Sequence, residues 1–112
     1  MQFPITLKGY AILNPKTGLF SRGRTGSNFS WGKRPKIWGG LNYLKNHLCQ
    51  FVHRRDNCFV ISDVYAGCLV IDVTTGDITE DIYIYDYLHD YANRQRERGW
   101  NSKDYEIKDM RG

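Results

Sequence analysis

Leu41, Leu44, Leu48, Phe51 and Val52 stand at i, i+3, i+7, i+10 and i+11, the spacing of a single helical face. The segment opens after Gly39-Gly40 and runs into His53-Arg54-Arg55, whose positive charge complements the negative end of a helix dipole, with Asp56-Asn57 as its stop. Two runs follow, residues 58–65 and 68–74, both dense in β-branched and aromatic side chains. They read as two strands separated by Ala66-Gly67, or as one long strand with a bulge at Gly67. A helix with one apolar face beside strands of this kind has to bury the two against each other, which confines the chain to a mixed class.

The flanking segments extend that pattern. Residues 6–13 read as a strand, Asn14-Pro15-Lys16-Thr17-Gly18 as a turn and Leu19-Phe20-Ser21 as the returning strand of a hairpin. Residues 21–36 hold three glycines and frequent basic residues and read as a mobile loop. A second helix is expected from about Asp81 to Arg98, with Ile84, Tyr87, Leu88 and Tyr91 as its apolar face and Gly99 as its stop. Ile78, Ile82 and Ile84 also fit a strand's alternation, which leaves its start open. The tail from Trp100 is polar apart from Tyr105 and Ile107, which mark an edge strand. The expected architecture is one α+β domain over residues 1–112: an antiparallel sheet, made of the N-terminal hairpin plus the central strands, with two helices packed on one face.

Charge is distributed very unevenly along this order. The first fifty-five residues carry ten Lys or Arg and no Asp or Glu, and the remaining fifty-seven carry six basic and twelve acidic residues. The two parts are +10 and −6, giving the net +4. A front of that sign attracts anions. No stretch approaches the roughly 20 apolar residues of a membrane span, and Met1-Gln2-Phe3-Pro4 lacks the basic-then-apolar order of a secretory signal. Cys49, Cys58 and Cys68 are odd in number and irregularly spaced, which reads as reduced thiols and a cytoplasmic location.

The strongest candidate site is the basic loop. Arg22, Arg24, Lys33, Arg34 and Lys36 supply charge for phosphate, Trp31 and Trp38 supply rings for stacking, and Lys45, one turn into the first helix, reaches toward the same place. Gly39-Gly40 leads into a helix N-terminus, where free N–H groups favour an anion. The bland reading of the same residues is a solvated basic loop with both tryptophans in the core. Gly23-Arg24-Thr25-Gly26 has the form G-x-x-G but not the two-helix setting of a nucleic-acid clamp, and no Walker or dinucleotide fingerprint occurs. Cys49 and His53 are four apart on the first helix and share a face, with Cys58 after the turn and Cys68 on a neighbouring strand, but no C-x-x-C pair accompanies them and no metal or cofactor is expected. His89 and Asp90 are adjacent, so on a helix they diverge and cannot orient one another. Asp81, Asp86 and Asp90 read as a solvated face. With no catalytic constellation, the expectation is a binding protein and not an enzyme.

The stretch Gly9 to Ser21, then Lys36-Ile37-Trp38 and Leu44-Lys45-Asn46-His47-Leu48, resembles the front half of small accessory proteins of tailed bacteriophages, over residues 9–52. The resemblance implies a short cytoplasmic protein made during infection that acts on a host component, and carries over no catalytic residue. Some proteins of that kind block immune nucleases and others sequester nucleotide signals. Two functions are therefore expected. In the first, the basic loop holds a phosphate-bearing ligand, a nucleic acid or a nucleotide. In the second, the basic surface docks a host defence enzyme as a protein inhibitor. The edge strand and the tyrosine-rich helix are also compatible with a homo-oligomer.

Overall fold

The computed structural model describes residues 8–99 and 101–112. The expected first strand residues Thr6 and Leu7, the N-terminal tetrapeptide and Trp100 lie outside the described residues. The class is α+β, with two α-helices among the described residues and strands in two sheets.

The hairpin forms as its turn chemistry demands. Strand β1 (Tyr10–Asn14) and strand β2 (Leu19–Ser21) pair antiparallel, and the Gly18 N–H donates to the Asn14 carbonyl at 2.9 Å with Gly18 at φ +72°. The segment expected as a mobile loop is tied down instead. It contains a 3₁₀ turn (Gly26–Asn28) and a short strand β3 (Trp31–Gly32), with Ser21 opposite Trp31. The Arg22 N–H donates to Ser30 O and the Lys36 N–H to Ser21 O, both at 3.0 Å.

Helix α1 (Leu41–Leu48) starts directly after Gly39-Gly40 and buries Leu44 and Leu48. It does not continue to Arg55. A 3₁₀ turn (Cys49–Phe51) ends it, and Val52–Arg55 is strand β4. The expected helical last turn, His53-Arg54-Arg55, is an exposed strand, because β4 pairs with strand β5 (Cys58–Ile61) from Val52 opposite Ile61 to Arg55 opposite Cys58. The pairing satisfies backbone groups that a longer helix would satisfy internally, with Phe51 buried in the core and Val52 packed against it.

Strand β6 (Leu69–Asp72) pairs with β1 and with the short strand β7 (Asp77–Ile78), giving an antiparallel sheet of order β3-β2-β1-β6-β7. The two central strands, expected in one sheet, therefore part company at residues 62–68: β6 joins the hairpin, while β5 lies in a second sheet of order β4-β5-β8. Strand β8 (Glu106–Asp109) is the edge strand that Tyr105 and Ile107 mark, and it runs parallel to β5. Parallel pairing needs a long crossover, which helix α2 (Ile84–Arg98) supplies by packing against β4, β5 and β8. The helix starts three residues later than expected and buries Ile84, Tyr85, Leu88 and Ala92; Tyr87 and Tyr91 flank that face, half-buried.

Successive residues of β1 point to opposite faces of the first sheet. Ile12 and Val70, opposite each other, enter the main core with residues of both helices and of β5. Ala11 and Ile71 enter a smaller cluster with Phe20 and Val73. Gly9 is sterically required at the start of β1: a Cβ there would meet the Trp38 carbonyl oxygen, where Tyr10 and Trp38 exchange backbone hydrogen bonds of 2.8 and 2.9 Å. That bridge places residues 36–40 beside the sheet and points α1 across the main core. Among the described residues, no helix is long and apolar enough to cross a membrane.

Candidate functional site

Between the residues after β2, the segment 36–39 and one face of α1 lies a cavity of about 680 Å³. Its lining comes from three places in the chain. Arg22, Gly23 and Arg24 form one wall, Lys36 to Gly39 a second, and Tyr43, Asn46, His47 and Gln50 a third. The third wall is a helical stripe at i, i+3, i+4 and i+7, rotated away from the Leu41, Leu44 and Leu48 face that enters the core.

The first wall depends on a left-handed turn. Gly23 has φ +78° and Arg24 has φ +67°. Besides Arg24, the described non-glycine residue with positive φ is Asp56, an acid in the turn between β4 and β5, where that conformation is tolerated. An arginine there costs about 1 kcal/mol and persists only where its surroundings hold it. Here the Gly23 N–H is fixed by the buried Ser21 Oγ at 3.1 Å.

Charge in the cavity is of one sign. Arg22, Arg24 and Lys36 line it and no Asp or Glu does. Among the described residues the ion pairs are His89–Asp109, Arg94–Asp90 and Arg111–Asp109, so none of the front cations is neutralised by a carboxylate. Lys33 and Arg34 lie just outside, around a smaller depression that Arg22 also borders. The N-terminus of α1 adds to the field: Gly40 provides no side-chain cap and the first turn has no acid.

The floor is His47 and Trp38, buried at 7% and 5% exposure, with ring centroids 4.8 Å apart. The His47 Nε2 lies 2.7 Å from the Tyr65 hydroxyl, which lies 2.7 Å from Ser21 Oγ. Burial, reinforced by the nearby Lys36 charge, pushes the His47 pKa down to about 4, so the ring is neutral at pH 7. Burial pushes the Tyr65 hydroxyl far up, so it keeps its proton.

Of the residues singled out from sequence, Arg22, Arg24, Lys36 and Trp38 border one cavity and Lys33 and Arg34 adjoin it. Three of the expected residues are placed differently from a shared open site. Trp31 is part-buried, in T-shaped contact with Phe29 at 5.3 Å and Tyr65 at 5.9 Å, and does not line the cavity. Trp38 lies too deep to stack on a ligand base, and Tyr43, 67% exposed, is the accessible ring at the rim. Lys45 points away, its Nζ 5.8 Å from the Tyr87 ring of α2, because it sits on the opposite side of α1 from Tyr43 and His47. Tyr43, Asn46, His47 and Gln50 were missed, although their helical spacing was the available signal.

The other candidate constellations come apart. His53 lies on β4 and not on α1, so it does not share a helical face with Cys49. Among the described residues no group of three or more His, Cys, Asp or Glu side chains gathers as metal ligands would. The three cysteines are free thiols, and burial pushes Cys68 up to about 11, far from a reactive thiolate. His89 is paired, but with Asp109 of β8 at 2.7 Å and not with its neighbour Asp90, which pairs with Arg94. Asp81, Asp86 and Asp90 are exposed. No protein-family model, curated protein or solved structure matches this chain.

Proposed function

We propose that the cavity binds a small phosphate-bearing ligand of the nucleotide class, without turnover. The observation that carries the reading is an acid-free cavity lined by three cations that have no carboxylate partner. Its volume, about 680 Å³, lies within the roughly 300–1,000 Å³ of small-molecule sites. Arg22, Arg24 and Lys36 take the phosphate through charge-assisted hydrogen bonds. The Tyr43 ring takes the base, and the amides of Asn46 and Gln50, on the same helical stripe, meet its polar edge. Trp38 buried in the core, with Trp31 part-buried against Phe29 and Tyr65, favours this ligand over a nucleic-acid strand, which needs a row of open rings. The resemblance of residues 9–52 to phage accessory proteins supplies a context in which sequestering a nucleotide signal counters a host defence.

The test is the ultraviolet spectrum and intact mass of the purified protein before and after denaturation, followed by calorimetric titration with nucleotides. A released nucleotide, or saturable one-to-one binding that depends only shallowly on salt, supports the reading. Binding of long nucleic acid alone, with affinity falling steeply as salt rises, overturns it in favour of strand binding. A clean spectrum and flat titrations overturn it in favour of a protein inhibitor, which a pull-down from host lysate then identifies.

A further inference from the structure

We infer that His47 is a neutral hydrogen-bond donor to the bound phosphate, and that the chain Ser21–Tyr65–His47 holds it in the tautomer with the proton on Nδ1. The inference rests on the cavity being an anion site. It goes further by naming a ligand-contacting group that carries no charge and two positioning residues behind it.

The buried hydrogen bonds fix where the protons go. Ser21 and Tyr65 are fully buried. Ser21 Oγ accepts the Gly23 N–H at 3.1 Å, and its other neighbour is the Tyr65 hydroxyl at 2.7 Å. The Tyr65 oxygen lies between Ser21 Oγ and His47 Nε2. If Nε2 carried the proton, it would donate to Tyr65 and Tyr65 would donate to Ser21. Both polar neighbours of Ser21 would then be donors, and its own buried proton would have no acceptor, at a cost of about 1–3 kcal/mol. The reverse order uses every proton: Ser21 donates to Tyr65, Tyr65 donates to Nε2, and the ring proton is left on Nδ1.

Nδ1 has no protein partner among the described residues. No buried side-chain nitrogen or oxygen there lacks one either, so this edge of the ring is open, and His47 lines the cavity. The charged groups across that cavity are Arg22, Arg24 and Lys36, all cations. An anion held between those cations can accept from an N–H at this edge of the ring, whereas it could make no hydrogen bond to a lone pair there. The same tautomer offers no basic nitrogen to the cavity, in keeping with binding and not turnover.

The experiment is two-bond ¹H–¹⁵N correlation of the histidine rings at pH 7, with inorganic phosphate as the probe. The expected result is a protonated Nδ1 and unprotonated Nε2 in His47, with the Nδ1 signal moving as phosphate saturates. A proton on Nε2, or an Nδ1 signal that ignores phosphate, overturns the inference. Tyr65→Phe should give a mixture of tautomers and roughly tenfold weaker phosphate binding. Because Tyr65 is a core residue, a second pair guards against loss of fold. His47→Asn, with an amide nitrogen near the Nδ1 position, should stay within a few fold of the parent, and His47→Leu should lose about tenfold. Equal losses overturn the inference. Nucleotide binding with a silent Nδ1 overturns the inference and leaves the nucleotide reading standing; a responsive Nδ1 without nucleotide binding supports the inference and removes the nucleotide.

Discussion

The front and back of this molecule both carry dense charge, and they treat it in opposite ways. At the back, Asp109 of β8 accepts from Arg111 at 2.7 Å and lies 2.7 Å from His89 of α2, while Arg111 also covers the Tyr85 ring at 3.8 Å. The neighbouring cation holds the Asp109 carboxyl far below the usual carboxylate range. Asp109 thus has one partner from helix α2 and one from the adjacent turn, and the partnership fastens β8 to the helix. At the front, Arg22, Arg24 and Lys36 surround a cavity and have no acid to answer them. Paired charges contribute to holding a fold, whereas unpaired charges of one sign repel each other and lower their energy only when an anion arrives.

The largest effect that separates the two regions is on binding. Replacing Arg22, Arg24 and Lys36 together by alanine should weaken nucleotide binding on the order of a thousandfold, since three charge-assisted hydrogen bonds are lost at about 1.5 kcal/mol each or more. Calorimetry reads the loss, and the melting temperature should hold or rise because repulsion is relieved. A fall of several degrees would show that these cations support the fold as those at the back do.

Next comes pH. An unfolded histidine takes a proton near 6.5, and folded His47 resists until about 4. Between those values the unfolded chain binds more protons, so stability from this ring is complete above pH 6.5 and declines as pH falls, by about 3 kcal/mol near pH 4. Urea melts across that range should show the decline, and His47→Asn should flatten that part of it. An unchanged slope in the variant would place the sensitivity elsewhere.

A smaller change belongs to the back. Asp109→Ala should cost about 1 kcal/mol in chemical denaturation, because its pairs are partly solvent-screened, and leave ligand affinity unchanged. Smallest of all, Lys45→Ala should alter affinity by less than about twofold, since its charge faces α2 and not the cavity. A tenfold loss from Lys45→Ala would redraw the boundary of the site.

How much of this was legible depends on the range of the interaction. Leu41, Leu44 and Leu48 announce α1 because a helix is written by neighbours three and four apart. Phe51 and Val52 prolong the same spacing, yet they belong to a 3₁₀ turn and to β4, because pairing Val52 with Ile61 decides the backbone there. The split of residues 58–61 and 69–72 into two sheets is likewise set by partners far off in sequence, β8 for one and β1 for the other. The cavity shows the same division. Arg22, Arg24 and Lys36 were visible as charge, while His47 acquires its place through Tyr65 and Ser21, eighteen and forty-four residues apart in their respective bonds. Trp31 and Trp38 were ambiguous because ring content alone does not say which side of the surface a ring occupies.

The exposed edge of β4 bears on how copies of this protein behave in company. The strand borders its sheet and carries His53, Arg54 and Arg55, all exposed. An open strand edge is a template for adding another strand, and basic side chains along it are a common safeguard. Two copies that met edge to edge through β4 would set like charges side by side. The safeguard is electrostatic, so it weakens as the Debye length shrinks from about 8 Å at physiological ionic strength to about 3 Å at 1 M. Concentrated stocks should therefore remain dispersed longest in dilute buffer, with light scattering rising as salt is added.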